Sequence, residues 1–194
     1  MSGPVLSVLI VDVCDLTLDP NTAGWNITLT KENKMATHNE EKQEHLPHPD
    51  RFDWSQVLCE EGLTGRHYWE VECDAGEVGV AYRSIAREGD CSSEFSFGGN
   101  EKSWCWTTDN CFSHNDSCES FHALANEKVY SFENLRRVIG VYLDWSAGIL
   151  SFFEVFPDNV IHRYTVHTTF TEPLYPGFDL WSGGSLYLKN KDEV

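Results

Sequence analysis

The feature that most constrains the fold of this chain is a two-residue alternation that recurs along its main body. In His67-Tyr68-Trp69-Glu70-Val71-Glu72-Cys73, the residues Trp69, Val71 and Cys73 alternate with Tyr68, Glu70 and Glu72. Successive side chains of a strand point to opposite faces, so this spacing predicts a sheet with one buried face. Val78, Val80 and Tyr82 repeat the pattern, with small Gly79 and Ala81 between them. Val138-Ile139-Gly140-Val141-Tyr142-Leu143 is β-rich on both faces, as a central strand is. Asp144 to Gly148 predicts a short hairpin loop, because glycine takes the left-handed conformation that closes such loops. Strands are then expected from Ile149 to Phe156, from Val160 to Val166, and at Leu186-Tyr187-Leu188. Turn residues at Asp74-Ala75-Gly76, Gly98-Gly99-Asn100, Pro157-Asp158-Asn159 and Ser182-Gly183-Gly184 separate these segments. No long stretch keeps a helical period. Many short strands with frequent turns indicate an all-β sandwich or barrel.

Residues 31–50 differ. They are polar and charged and run into Leu46-Pro47-His48-Pro49, whose prolines disfavour regular structure. An exposed connection is expected there.

A chain of 194 residues fits one large domain, with core enough to fold without metals or disulfides. Fourteen Lys and Arg stand against 31 Asp and Glu, a formal net charge of −17. Phosphate backbones are bound by displacing counterions with cationic side chains, so nucleic acid and anionic membranes are poor partners. Another protein with a basic or neutral surface fits better, although the same acidity also serves solubility. The seven cysteines, Cys14, Cys59, Cys73, Cys91, Cys105, Cys111 and Cys118, are odd in number and include no Cys-x-x-Cys. Reduced thiols and a cytoplasmic location are expected. The apolar run Val5 to Val13 is short, lacks a preceding Lys or Arg, and is broken by Asp12; it reads as neither an export signal nor a membrane span. The sequons Asn26-Ile27-Thr28 and Asn115-Asp116-Ser117 are therefore expected to go unused.

Three motifs occur in order: Leu18-Asp19-Pro20, Trp69-Glu70-Val71 and Leu143-Asp144-Trp145-Ser146. Phe52-Asp53, the run Gly62 to Trp69, Ser103-Trp104 and Pro173-Leu174-Tyr175-Pro176-Gly177-Phe178 accompany them. The set resembles the PRY–SPRY (B30.2) family over about residues 14–189, in the style of fish versions found in tripartite-motif ubiquitin ligases, NACHT-type receptors and stonustoxin-type toxins. Trp145 and Ser146 depart from the family's usual Leu-Asp-Tyr-Glu. The resemblance implies a two-sheet antiparallel β-sandwich, a concanavalin-like jelly roll. It divides the chain into an atypical N-terminal segment (1–13), a PRY segment (14–58), a SPRY segment (59–189) and a tail (190–194). It also implies a non-enzymatic recognition module that needs no cofactor and binds proteins through loops at one end of the sandwich.

Candidate binding residues follow from that resemblance and from the aromatics. Trp104 and Trp106 alternate and so point to one face, and Phe178-Asp179-Leu180-Trp181 lies between two turns. In the antibody-binding tripartite-motif ligase, similar Trp-x-Trp and Pro-Gly-Phe positions help to form the site. The expected surface therefore includes Trp104, Trp106, Phe178, Asp179 and Trp181, with Trp106, Phe178 and Trp181 in its floor, and a rim from the loops around Arg83–Asp90, with Arg83, Glu88 and Asp90, and around Asp109–Glu119. For Trp104 and Phe178 a place in the core weighs equally. The weak metal candidates Cys111, His114, Cys118 and His122 have ligand chemistry but no familiar zinc-finger spacing. No nucleophile elbow, cysteine-protease signature or phosphate loop is present. The leading functional expectation is the specificity domain of a tripartite-motif ubiquitin ligase or innate-immune receptor. The alternatives are a C-terminal assembly module of a stonustoxin-like pore-forming toxin and a metal-dependent enzyme built on the Cys/His loop.

Overall fold

In the computed structural model, residues 12–89, 96–115, 117–120 and 136–194 are described, the side chains of 117–120 excepted. Asp90, Cys91, His122, the Cys118 side chain and nearly all of the N-terminal segment lie outside that set. The described chain is all-β apart from a 3-10 turn at Lys191–Glu193. Its strands are β1 (Asp12–Val13), β2 (Ile27–Thr30), β3 (Met35–His38), β4 (Gln56–Leu58), β5 (Arg66–Cys73), β6 (Gly76–Tyr82) and β7 (Ser103–Thr107). They continue as β8 (Cys111–His114), β9 (Ser117–Ser120), β10 (Arg137–Asp144), β11 (Ile149–Phe156), β12 (Asn159–His167), β13 (Leu174–Leu180) and β14 (Ser185–Leu188).

Two sheets form. The larger runs β12-β11-β10-β5-β14-β3-β2, with β1 pairing in parallel beside β5. The smaller runs β4-β13-β6-β7-β8-β9. The alternation read from the sequence decides what meets between them. Trp69, Val71, Ile139, Val141 and Phe152 from the larger sheet share one core with Val78, Val80, Trp104, Trp106 and Phe178 from the smaller. The Trp106 and Phe152 rings stack across the interlayer at 6.5 Å. This is the expected antiparallel sandwich.

The short loop after β10 forms as anticipated. Gly148 has φ of 68°, and a Cβ there would lie 1.8 Å from the Thr168 carbonyl oxygen. The segment 31–50 does not remain a plain connection, because it contains β3, antiparallel to β2. Lys31, Glu32 and Asn33 reverse the chain with φ of 51°, 55° and 61°. Three consecutive left-handed non-glycine residues give no turn signal in a sequence.

The outer face of the smaller sheet carries a second, smaller core of Phe52, Leu58, Ala81, Ile85, Phe97 and Cys105. It seats the segments before β4 and after β6 on the sheet. In the larger sheet, β12 is the outermost strand. Its register shifts between Phe152, opposite Tyr164, and Phe153, opposite His162. Arg163 thus falls in a bulge, and its guanidinium bonds the Glu154 carboxylate.

Candidate recognition surface

The aromatic residues of the expected floor separate into two groups. Trp104, Trp106 and Phe178 are core: they are 4%, 3% and 0% exposed. This corrects their assignment to a contact surface. Alternation does place Trp104 and Trp106 on one face of β7, but that face is the interlayer. Trp104 packs edge-on against Tyr82 and Phe170 and stacks on the His114 ring at 4.7 Å. Trp181 is half-buried in the turn that joins β13 to β14, closed by a bond from the Gly184 amide to its carbonyl.

Asp179 faces the outer side of the smaller sheet, directly opposite Gln56 on β4 and Glu77 on β6. Gln56 Nε2 donates to Asp179 Oδ2 at 3.1 Å, and the Cys105 thiol lies 3.4 Å from Glu77 Oε2. Burial, with Asp179 adding, pushes Glu77 up to about 8. Burial likewise pushes Asp179 up to about 7. A carboxyl pair of this kind holds a proton near neutrality. It is built into the sheet rather than offered to a partner.

Arg83 is committed as well. Its Nη2 donates to Asp19 Oδ2 at 3.0 Å and to Asp50 Oδ2 at 2.6 Å, and its guanidinium lies over the Tyr175 ring. The bond to Arg83 holds the Asp50 carboxyl below its usual range. Arg83 therefore ties the loop carrying Asp50 to the body of the sandwich. Glu88 is exposed, as expected for a rim, and Asp90 lies outside the described residues.

Sequence reasoning passed over the residues that do form concave surface. The loops before β2, between β3 and β4, after β6 and before β14 converge at one end of the molecule, where two grooves lie. One, of about 290 Å³, is lined by Trp25, Pro47, His48, Arg51, Asp53 and Glu88. The other, of about 730 Å³, is lined by His38, Asp53, Trp54, Ser55 and Ser182 among others. Asp53 borders both, and Trp54 is 38% exposed, unusual for an indole.

This end is firmly held. The Asp53 amide donates to the Arg87 carbonyl at 2.9 Å, and the Phe52 amide to that of Thr22 at 3.1 Å. Gly24 packs so close that a Cβ there would sit 1.8 Å from the Trp54 carbonyl oxygen. Buried Arg51 donates to the carbonyls of Leu46, Pro20 and Ala23 and lies over the Trp25 ring. The signal available in the sequence was Asp53-Trp54 itself, an acid and an indole between a proline-rich stretch and a strand.

Of the metal candidates, the side chains of Cys111 and His114 are described, and those of Cys118 and His122 lie outside the described residues. Cys111 is disulfide-bonded, which also departs from the expectation of reduced thiols; the described side chains do not include its partner. His114 Nδ1 sits 2.8 Å from the Ser103 carbonyl oxygen while its ring stacks on Trp104. Among the described residues no group of three or more His, Cys, Asp or Glu side chains is placed to hold a metal ion. Cys14, Cys59, Cys73 and Cys105 are free and buried. Cys14 Sγ does approach His67 Nδ1 at 3.3 Å, a dyad-like spacing. Burial, reinforced by Asp12 and Glu61, pushes that thiol up to about 12, so it stays protonated and is a poor nucleophile.

Comparison with known proteins agrees with this architecture. Residues 16–63 match the model of the SPRY-associated domain PRY, and residues 66–186 match that of the SPRY domain. Stonustoxin subunit beta of Synanceia horrida is 40% identical over 168 residues, which cover 85% of this chain and 23% of that protein. Tripartite motif-containing protein 14 of Mus musculus is 39% identical over 139 residues, 69% of this chain and 30% of that protein. The chain thus spans under a third of the length of these relatives. A solved stonustoxin structure superposes with a TM-score of 0.78 at 38% identity, over 91% of this chain and 27% of that one. The PSpry domain of TRIM65 superposes with a TM-score of 0.76 at 25% identity, over 92% of both chains.

Proposed function

The chain belongs to the PRY–SPRY family, whose domains are protein-interaction modules, and from that membership we propose that it is the specificity module of a longer tripartite-motif ubiquitin ligase or innate-immune receptor. The observation that carries this reading is the hydrogen-bonded loop end, where two grooves meet at Asp53 beside the exposed Trp54. Desolvated aromatic anchors dominate interface energies, and fixed loops lose little entropy on binding. The net charge of −17 supports a partner protein with a basic or neutral surface, rather than nucleic acid or an anionic membrane. The module contributes binding, not catalysis, and ligase chemistry belongs to other parts of such a protein. A cytoplasmic site of action fits the four buried free thiols. The test is affinity capture with the wild-type domain alongside a Trp54→Ala, Trp181→Ala variant of unchanged melting temperature. A partner held by the wild type and lost by the variant supports the reading; a partner held equally by both refutes it.

A second reading, an assembly module of a stonustoxin-like toxin, is favoured by the 40% identity to that subunit and by the Cys111 disulfide. Thiol titration of denatured protein taken from its natural source separates the two. All seven thiols free support the cytoplasmic reading; a retained bridge supports the toxin.

A further inference from the structure

We propose that the Asp53–Trp54 corner receives an arginine side chain of the partner protein. The inference rests on the recognition reading above and deepens it, by naming the chemistry that the loop end accepts.

The loops themselves supply the pattern. Three arginines at this end each lie over an aromatic ring: Arg51 over Trp25 at 5.3 Å, Arg83 over Tyr175 at 5.4 Å, and Arg87 over Phe52 at 4.3 Å. Arg83 adds the carboxylates of Asp19 and Asp50 to its ring. A guanidinium sandwiched between a ring face and a carboxylate is thus an arrangement that this surface already uses. Trp54 is the most exposed indole of the group and stands next to Asp53, yet no cation lies over its ring among the described residues.

Charge agrees with geometry. Among the described residues the carboxylates of Asp53 and Glu88 make no hydrogen bond or ion pair, although both border the smaller groove. The cations nearby do not neutralise them. Arg51 has its N–H groups turned to the carbonyls of Leu46, Pro20 and Ala23, Arg87 lies over the Phe52 ring and donates to the Arg83 carbonyl, and exposed Lys42, which lines the larger groove, forms no ion pair with either carboxylate. The larger groove, about 730 Å³, has room for a long side chain to lie along Trp54. Arginine suits the corner better than lysine. Its planar, weakly hydrated guanidinium stacks on an indole while its edge pairs with a carboxylate in two bonds, whereas an ammonium does so only as a point charge.

The experiment is selection of phage-displayed random dodecapeptides on the wild-type domain. Selected peptides are then synthesised and titrated against wild type, Asp53→Asn and Trp54→Ala, each variant first shown to unfold at the wild-type urea midpoint. The expected result is a shared arginine in the selected peptides. Replacing it with citrulline, or Asp53 with Asn, should weaken binding about tenfold or more, and the loss should shrink at high salt. Peptides without arginine, peptides indifferent to Asp53→Asn, or no selected peptide at all would each overturn the proposal. Arginine-free peptides that still lose binding to Trp54→Ala would sink this inference and leave the recognition surface standing. Peptides indifferent to Trp54→Ala as well would remove both.

Discussion

Trp106 and Trp54 are the same residue type in the same chain, 3% and 38% exposed, and the difference teaches where recognition chemistry can sit on a sandwich. Trp106 occupies β7, a strand flanked by β6 and β8 and covered on both faces, by the interlayer core and by the small outer core around Cys105. A Trp-x-Trp pattern on such a strand has no open face to offer. Trp54 occupies a bend just before β4, where the backbone has left the sheet and no second layer covers it. Position relative to the sheet, and not the aromatic itself, decides between core and contact.

The largest effect tests the inner half of that contrast. Trp106→Ala should destabilise the domain by about 3–5 kcal/mol, the usual cost of deleting a large buried aromatic, read as a lower urea midpoint with unchanged slope. Near-wild-type stability would break the comparison, by showing Trp106 to be dispensable to the core.

Next comes the scaffold beneath the outer half. Arg51→Met removes the donors to the Leu46, Pro20 and Ala23 carbonyls. The buried Ala23 carbonyl, left without its partner, should cost about 1–3 kcal/mol, and amide exchange should accelerate in residues 20–26 and 46–55 ahead of the strands. Uniform acceleration would mean that Arg51 supports the whole sandwich rather than the loop end.

A smaller effect concerns acidity. Glu77 and Asp179 have folded-state values of about 8 and about 7, above their ordinary 4.5 and 3.8. The native state therefore holds protons that the unfolded chain releases. Stability is full below the ordinary carboxyl range and is lost as the pH climbs through about 7–8. The urea midpoint should therefore fall between pH 5 and pH 8.5. A Glu77→Gln, Asp179→Asn variant should flatten that slope. An equal slope in the variant would place its origin elsewhere.

The smallest effect completes the pair. Trp54→Ala should change folding stability by no more than about 0.5 kcal/mol, as exposed substitutions do, while removing a binding anchor. A cost above about 2 kcal/mol would make Trp54 structural and erase its contrast with Trp106.

Legibility in the sequence followed the strength of the period. The expected strand from Ile149 to Phe156 is β11 to the residue, and the alternation of Trp69, Val71 and Cys73 chose the buried face of β5 correctly. The hairpin of β2 and β3 escaped notice because its strands are four residues each and its turn is built from Lys31, Glu32 and Asn33 rather than Gly or Pro. Site reading failed for a different reason. Alternation says that Trp104 and Trp106 share a face, but only the stacking of layers says which face is wet. Conversely, Arg83 was legible as a polar loop residue, while its ties to Asp19 and Asp50 join positions 64 and 33 residues apart, a distance that no local pattern spans.

The bulge on β12 bears on how such a domain behaves in company. An outermost strand carries a row of free backbone donors and acceptors, and a flat one would zip onto its neighbour wherever many copies are crowded together. Arg163 interrupts that row, and its tie to Glu154 keeps a polar side chain at the break. The sandwich thereby discourages sheet-to-sheet stacking along this border. Copies of the domain held at high local concentration can then remain separate bodies, each with its loop end uncovered.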